Sequence, residues 1–397
     1  MELLRKNNTL LIDKEAVYAL LLCQKGLLYP VTHLMNESEM QEVDNTGLYK
    51  NQSFPFSFIL APSGKRNQEV IQKAKTGDVI LLICENKICG KLITQSTFAI
   101  NKQERVSKIM GGDIYSQKAQ NIAQRIGNYA ICGEYELTLE EMPNLLSKEK
   151  ILQAKKRIKA RHITSIVVEA SPITRIHERI FRSILEDLDL LVIFLVCKDN
   201  EELLDYKIRL ECLEYVVQNY LPKERILIFP FEDIYLFAGS HGIILEAILS
   251  QNLGCERIVV GENYPKLALY YDNQKLYSIF DTTKDIKIKI KMLNELVYCN
   301  ECKTIVSVKT CPHGKHHHIS YHSNFIRNIL LAGLIPPPIL LRKEVSAKTL
   351  SYLFPNRFKK IPCLDFSILP NDGILEEYNE EKIYLKLLEL YQTFSLN

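Results

Sequence analysis

The chain has 397 residues, a net charge of +3 and 47% hydrophobic residues. That length exceeds one compact core and implies two or three domains, while so weak a positive charge argues against a nucleic-acid partner. The opening segment, residues 1–8, lacks the apolar stretch of a secretory leader. The run Leu188–Val196 is about half a membrane span and reads as a buried strand, so no membrane partner is expected. Eleven cysteines, an odd number in a long chain without a leader, are expected as thiols in a reducing, cytoplasmic setting.

In chain order, residues 1–160 read as β-rich. Candidate strands are Thr9–Ile12, Phe54–Leu60, Val79–Cys84 and Ile88–Ile93, the last two joined by the short hairpin connection Glu85-Asn86-Lys87. Pro62-Ser63-Gly64 and Thr76-Gly77-Asp78 are turns, and Glu37–Val43 reads as helix. The pattern predicts a small barrel-like or mixed β domain. Residues 161–295 then alternate. Strand Ile163–Val168 leads to helix Ile176–Glu186, and strand Leu190–Leu195 to helix Leu204–Asn219. Strand Arg225–Phe229 leads to helix Ile243–Asn252, and strand Arg257–Gly261 closes the series. This alternation predicts an α/β domain with a doubly wound, Rossmann-like parallel sheet. Such sheets bind ligands beyond the carboxyl ends of their strands. Thr174, His177, Gly239, Gly261 and Asn263 all follow strands in this way. Residues 296–335 carry a cysteine cluster. Residues 336–397 read as helical, and helices Asn324–Ala332, Glu344–Leu353 and Glu380–Tyr391 are expected. Pro336-Pro337-Pro338 is expected to stop the first of these.

Cys299-Asn300-Glu301-Cys302 is followed by Cys311-Pro312-His313-Gly314-Lys315-His316. A Cys-x-x-Cys knuckle presents two thiolates to one ion, and the second segment supplies a third thiolate and an imidazole. The expected set is Cys299, Cys302, Cys311 and His316, which has room to turn back. His313 is the alternative, close to Cys311 for a clean turn. Four protein ligands leave no open position, which is the arrangement of a structural Zn2+.

Pro172-Ile173-Thr174-Arg175-Ile176-His177 sits just past the first strand of the α/β series. Thr174 and His177, at i and i+3, fall on one face of a helix turn. A histidine there can bond phosphate oxygens and stabilise charge at an α-phosphorus, with the helix amino terminus adding to this. Thr174 can donate its hydroxyl, and Arg175 clamps charge if it points inward. The plainer reading is a first-turn histidine satisfied by a neighbour beside a solvent-facing arginine. His241, at a helix start after Gly239, either meets an anion or lies on the surface. Asp205 and Arg209, at i and i+4, are spaced to pair with each other. Arg327 and Arg342 are each placed to close over a nucleotide.

With these residues in hand, the chain resembles the ATP sulfurylase family. Gly26–Asn36 looks like the family's Gly-x-x-x-Pro-x-x-Gly-Phe-Met segment. Ile184–Leu190 looks like its Ala-Leu-Glu-x-x-Asp-Gly-Leu without the glycine, and Asp205 with Arg209 matches Asp-x-x-x-Arg. Thr310-Cys311-Pro312-His313-Gly314 matches the metal-bearing Thr-Cys-Pro-His of zinc-containing members. Leu331–Pro337 followed by Arg342–Val345 matches the Gly-x-x-Pro-Pro…Arg-Pro-Glu-Val tail. The resemblance implies a PUA-like domain over 1–160 and an adenylyltransferase-like domain over 161–295. It implies a zinc-binding segment over 296–335 that completes the nucleotide domain, and a helical region over 336–397. It further implies ATP with Mg2+ and structural Zn2+ as cofactors, sulfate or another acceptor as the second small molecule, and association between copies of the chain. His177, Thr174 and Arg175 would be catalytic. Pro172, His177, Gly239, His241, Gly261, Asn263 and Arg327 would hold the nucleotide.

The active-site segments depart from the family. Its Gln-Thr-Arg-Asn-Pro-x-His-x-x-His loop is Val168-Glu169-Ala170-Ser171-Pro172-Ile173-Thr174-Arg175-Ile176-His177 here. The glutamine and arginine that hold sulfate fall at Val168 and Ala170, beside a repelling Glu169. Thr174 replaces the first histidine, a change that by itself resembles pantetheine-phosphate adenylyltransferase, and His177 keeps the second. Gly239-Ser240-His241-Gly242-Ile243 lacks the arginine of Gly-Pro-Arg-Glu-Ala, and Gly261-Glu262-Asn263-Tyr264 replaces the arginine of Gly-Arg-Asp-His by glutamate. Only Arg327 remains of Ile-Ser-Gly-Thr-x-x-Arg. Three readings follow. One is a sulfate adenylyltransferase working through replaced side chains. Another is an adenylyltransferase or nucleotide-binding protein for a less anionic acceptor. The third is a non-catalytic regulatory or scaffold homologue.

Overall fold

The computed structural model describes residues 8–138, 146–197, 203–261, 283–319, 323–357 and 380–393. Cys363 and the nucleotide-site candidate Asn263 lie outside the described residues. The first elements are β1 (Thr9–Leu11), α1 (Lys14–Gln24), α2 (Glu37–Thr46), β2 (Leu48–Tyr49), β3 (Gln52–Ser53), β4 (Leu60–Pro62) and α3 (Lys65–Lys73). Next come β5 (Val79–Cys84), β6 (Lys87–Ala99), α4 (Lys102–Met110), α5 (Gln117–Arg125), β7 (Ile126–Leu137) and α6 (Lys148–Ile158). The alternating series is β8 (Ile163–Val168), α7 (Arg175–Asp187), β9 (Leu190–Cys197), α8 (Tyr206–Tyr220), β10 (Ile226–Glu232), α9 (Gly242–Asn252) and β11 (Arg257–Gly261). The chain continues with β12 (Lys289–Leu293), β13 (Leu296–Cys299), β14 (Thr304–Ser307), β15 (His318–Ile319), α10 (Ser323–Leu331), α11 (Lys343–Leu353) and α12 (Glu380–Thr393). No helix among the described residues is long and apolar enough to cross a membrane.

The chain divides into two compact units. The first comprises Met1–Lys156, His162–Ser165 and Glu232–Lys291, and the second comprises Arg157–Arg161, Ile166–Phe231 and Met292–Asn397.

The first unit is built on a sheet of order β1-β5-β6-β7-β4. Glu85 and Asn86, at φ 47° and 65°, form the tight turn between β5 and β6, the two left-handed residues that a two-residue hairpin requires. Register shifts at Leu82/Ile83, Thr94/Ser96 and Leu60/Pro62 bend the strands, and the sheet curls. Helix α1 packs on it, started by Asp13, whose carboxylate accepts the Ala16 N–H at 2.8 Å. Every residue from Val17 to Cys23 is buried. A helix apolar all round shows no 3.6-residue stripe, which is why periodicity missed it.

The second sheet has order β10-β9-β8-β11-β12 and is parallel. Its β9 is apolar from Leu190 to Val196 and buried throughout, as a strand covered on both faces must be. In the second unit, Phe194 of β9 meets Phe229 and Phe231 of β10 at 6.4 and 5.9 Å between ring centroids. Helix α7 buries Phe181, Ile184 and Leu185 along one face.

Three expectations need correction. The stretch Phe54–Leu60 is not a strand, because only Leu60 enters the sheet. Pro55 breaks the run, and Phe54, Phe56 and Phe58 are buried from a coil. That coil's backbone groups are met locally: Ser57 N–H by the Asp44 carboxylate at 2.8 Å, and Phe58 C=O by Met35 N–H at 2.9 Å. The first region is also less purely β than expected, since α1 to α5 pack among its strands. Finally, α10 ends at Gly333 (φ 73°) rather than at the prolines. The Gly333 and Leu334 N–H groups return to Leu330 and Ile329 carbonyls, a glycine-terminated helix end.

Gly133 in β7 lies against the β6 backbone, and a Cβ there would stand 2.0 Å from the Ile93 carbonyl oxygen. Backbone in a sheet ladder cannot give way to it. Gly133→Ala is therefore expected to lose about 2–4 kcal/mol in denaturant unfolding. An unchanged midpoint would contradict the β6–β7 register.

Candidate functional site

The chain leaves β8 at Val168 and turns through residues 169–174 into α7. Arg209 of α8, 1% exposed, holds this turn from beneath. Its Nη1 donates to the carbonyls of Glu169 at 2.7 Å and Val196 at 2.8 Å, and its Nε donates to Leu204 at 2.7 Å. Leu204 N–H in turn donates to Ser171 Oγ at 2.8 Å, and Arg175 N–H to the Leu340 carbonyl at 2.9 Å. Ala170 sits at φ 45°, a left-handed conformation that costs an alanine about 1–2 kcal/mol. The tethers on either side hold it there. Pro172, after a cis bond from Ser171, is buried in the same turn.

Thr174 starts α7, and its N–H and Oγ1 lie 3.1 and 2.8 Å from His177 Nδ1. A backbone N–H can only donate, so Nδ1 carries its lone pair and the ring proton sits on Nε2. Nε2 has no partner among the described residues. Burial pushes the His177 pKa down to about 4, so the ring is a neutral N–H donor at neutral pH. Arg175 runs alongside rather than over this pair. Its Nε donates to the Pro338 carbonyl at 3.4 Å, and its Nη1 lies 3.8 Å from Glu178 Oε2. Glu178 is gripped by Arg342, with Nε and Nη2 each 2.7 Å from a carboxylate oxygen. Arg342 also stacks on Tyr220, 3.3 Å from the ring centroid. Arg342 is thus a structural clamp and presents no free charge.

The structure brings Pro172, Thr174, Arg175 and His177 onto one turn of the second unit. Gly239 and His241 lie in the first unit, against the end of α4. A Cβ on Gly239 (φ 61°) would meet Met110 backbone at 2.7 Å, and His241 Nδ1 bonds the Lys108 carbonyl at 2.8 Å. Gly239 thus has a packing reason to be glycine. Gly261 ends β11 with open space where a Cβ would point. Arg327 on α10 keeps a buried Nε and Nη1 without hydrogen-bond partners among the described residues. Asp205 and Arg209 form no side-chain pair. Asp205 caps α8 by accepting the Lys207 N–H at 2.7 Å, while Arg209 turns to the carbonyls. The tethering by Arg209 is what sequence reasoning missed. Its one signal was an arginine on the apolar face of α8, among Ile208, Cys212, Leu213 and Val216.

The cysteine cluster forms on the antiparallel pair β13–β14, whose turn is the Cys-x-x-Cys knuckle. Its fourth member is His313, where His316 was expected. His313 Nδ1 lies 3.4, 3.3 and 3.6 Å from the sulfurs of Cys299, Cys302 and Cys311. Cys302 and Cys311 sulfurs are 3.8 Å apart, and all four donor atoms fall within 4.8 Å of one another. A tetrahedron of Zn–S bonds about 2.3 Å long has edges of roughly that size. The donors therefore fit a metal such as Zn2+. The His316 ring instead folds over Gly314 and packs on His317 at 4.0 Å between centroids. His313 reaches the sulfurs from the loop just after Cys311, whereas His316 lies in the 3-10 turn beyond.

The ATP-sulfurylase family model matches residues 144–352, more than half of the chain, and the chain belongs to that family. It is 26% identical over 345 residues to a sulfate adenylyltransferase of Carboxydothermus hydrogenoformans, covering 84% of this chain and 89% of that protein. It is 31% identical over 179 residues to the sulfate adenylyltransferase of Chloroflexus aurantiacus, covering 44% of this chain and 47% of that one. Among solved structures, the hexameric APS kinase from Thiobacillus denitrificans shares the fold, with a TM-score of 0.63 at 16% identity. The match covers 86% of this chain and 62% of that chain.

Two outcomes follow from this geometry. The unfolded state protonates His177 near its ordinary value of 6.5, while the folded state resists protonation until about pH 4. The unfolded chain therefore binds more protons between these values, and stability falls as the pH drops through that window. His177→Gln should flatten this part of a stability–pH curve, and an unaltered curve would contradict the buried neutral ring. For the cluster, elemental analysis should find about one metal ion per chain. It should be lost in His313→Ala and kept in His316→Ala, and the reverse pattern would overturn the ligand assignment.

Proposed function

We propose that this chain binds MgATP at the carboxyl end of β8 and is a nucleotidyltransferase of the ATP-sulfurylase type. The family reaction joins ATP and sulfate to give adenosine 5′-phosphosulfate and pyrophosphate. The observation that carries the reading is the Thr174–His177 pair at the start of α7, inside the family-matched segment. An acceptor oxygen bonds to the α-phosphorus, the bridging α–β P–O bond breaks, and pyrophosphate leaves with the electron pair. Mg2+ supplies charge neutralisation across the phosphates. The protein's part is positioning and charge stabilisation, with no covalent step required of it. His177 Nε2–H donates to a non-bridging α-phosphate oxygen, and the α7 amino terminus adds its partial positive charge. Because Nδ1 is occupied by Thr174, the ring acts as a fixed neutral donor. Pro172 and Arg175 shape the same turn, and Gly239, His241, Gly261, Asn263 and Arg327 belong to the nucleotide site by family correspondence. The Cys/His cluster holds structural Zn2+ with no open position.

A second reading concerns the acceptor. Val168 and Ala170, where the family places its sulfate-holding glutamine and arginine, are 9% and 1% exposed and apolar. The exposed residue between them is Glu169. A dianion there would meet apolar side chains and one carboxylate, which favours an acceptor less negative than sulfate. A cytoplasmic setting and self-association, as in the hexamer named for the Thiobacillus protein, complete the proposal.

Pyrophosphate release from MgATP, measured with and without sulfate, tests this. Sulfate-dependent release that falls about a hundred-fold or more in His177→Ala supports the sulfate reaction. ATP binding without sulfate-dependent release moves the assignment to another acceptor. Absence of ATP binding overturns the proposal and leaves a scaffold built on the family fold.

A further inference from the structure

The first unit contains a cavity of ≈ 300 Å³ that is separate from the turn into α7. It lies between β1, the start of α1, β4, α4 and α5, and ten of its fifteen lining residues are apolar. Its size is at the small end of ligand pockets. One end is not apolar. Arg105 of α4 lines the cavity and is 5% exposed. Its Nη1 donates to Ser57 Oγ at 2.7 Å and stands 3.9 Å from Asp44 Oδ1. Its Nε and Nη2 have no hydrogen-bond partner among the described residues, yet they are not among the sealed, unsatisfied atoms. The side chain that carries them lines the cavity. Asp44 is an ion-pair partner beyond hydrogen-bond distance, and its carboxylate also accepts Ser57 N–H at 2.8 Å and Ser57 Oγ at 3.1 Å. Burial accordingly lowers the Arg105 pKa, with Asp44 offsetting only part of the effect.

Tyr235 lines the same end, and its hydroxyl also lacks a hydrogen-bond partner among the described residues. Asp13 is the one carboxylate in the lining, and it is already engaged. It accepts the Ala16 N–H at 2.8 Å and two Arg125 nitrogens at 2.8 Å. Arg125 is held further by Glu15 at 2.6 Å. The cavity therefore pairs an apolar body with a head that offers donors and a buried positive charge, while its acidic groups are neutralised. Desolvated donors of this kind are costly to leave unmet and bind a charged acceptor strongly.

We propose that this cavity is a binding site for a small apolar carboxylate, its tail among the isoleucines and its carboxylate on Arg105 Nε and Nη2 with the Tyr235 hydroxyl. The site is independent of the nucleotidyltransferase reading and adds a second ligand to the protein.

Isothermal titration of the full chain with sodium octanoate, and with octan-1-ol as the uncharged match, tests it. Saturable binding of one octanoate is expected, with octanol at least about ten-fold weaker for want of the charge-assisted hydrogen bonds. Ala16→Phe, which fills the cavity from α1 and leaves Arg105 untouched, should abolish binding of both. Arg105→Gln should erase the preference for octanoate. Should that variant fail to fold, the octanol comparison and Ala16→Phe still decide. No saturable binding, equal affinity for acid and alcohol, or undiminished binding in Ala16→Phe would each overturn the proposal.

Discussion

Arg209 fixes the geometry of the turn from β8 into α7. Two neighbouring parallel strands, β8 and β9, end with carbonyls aimed past the sheet, and such groups need donors. One guanidinium joins the ends of both strands to the start of α8 through Glu169, Val196 and Leu204. Burying a cation away from water costs several kcal/mol unless its donors are met, and here three carbonyls meet most of them. The return is a turn with no freedom to wander. Ala170 stays left-handed, Ser171 accepts from Leu204, and α7 begins where Thr174 can close on His177. Exchange of the fork for an apolar side chain would leave three carbonyls short of partners at once.

On the proposed function, that rigidity explains how the nucleotide-facing and acceptor-facing halves of the family loop can diverge. The His177 half depends on backbone geometry. Its imidazole is oriented by a main-chain N–H, which survives most substitutions nearby. The Val168–Ala170 half depended on side chains in the family, and here those are a strand end and a buried methyl. The helix start can therefore keep its geometry while side chains at the strand end change. Arg175 and Arg342 do not replace the clamp, since Glu178 and the Pro338 carbonyl engage them. Glu178 and Arg342 instead brace α7 against the start of α11.

The strands and helices of the α/β series were legible because their periods are clean. β8 and β11 fall on the predicted residues, and the others differ by a few residues at their ends. The cysteine knuckle was equally plain, since Cys-x-x-Cys spacing has few other uses. Sequence spacing could not choose between His313 and His316, because the choice depends on how the loop after Cys311 turns. The first region was harder. Helix α1 is apolar on every side, and the 54–58 coil alternates aromatic and small residues as a strand would. Both were settled by partners distant in sequence, such as Asp44 for Ser57 and Met35 for Phe58. Arg209 was visible as half of an i,i+4 pair, but spacing alone could not show that carbonyls would outbid Asp205.

Two buried arginines, one in each unit, show why burial of a charge does not by itself mark a site. Arg209 gives Nε and Nη1 to carbonyls, and its buried Nη2 has no partner among the described residues. A ligand has no route to that nitrogen, so the residue is architecture. Arg105 is nearly as buried, but among the described residues only its Nη1 has a hydrogen-bond partner, and the side chain lines a cavity. The protein has already met the desolvation cost of that guanidinium, offset in part by Asp44 at 3.9 Å. What separates the two is what the side chain borders: packed atoms in one case, a cavity in the other. A cation whose donors face an apolar cavity gains more from an incoming carboxylate than it would at the surface, where water competes. The same residue type thus tethers a turn in one unit and lines a cavity in the other.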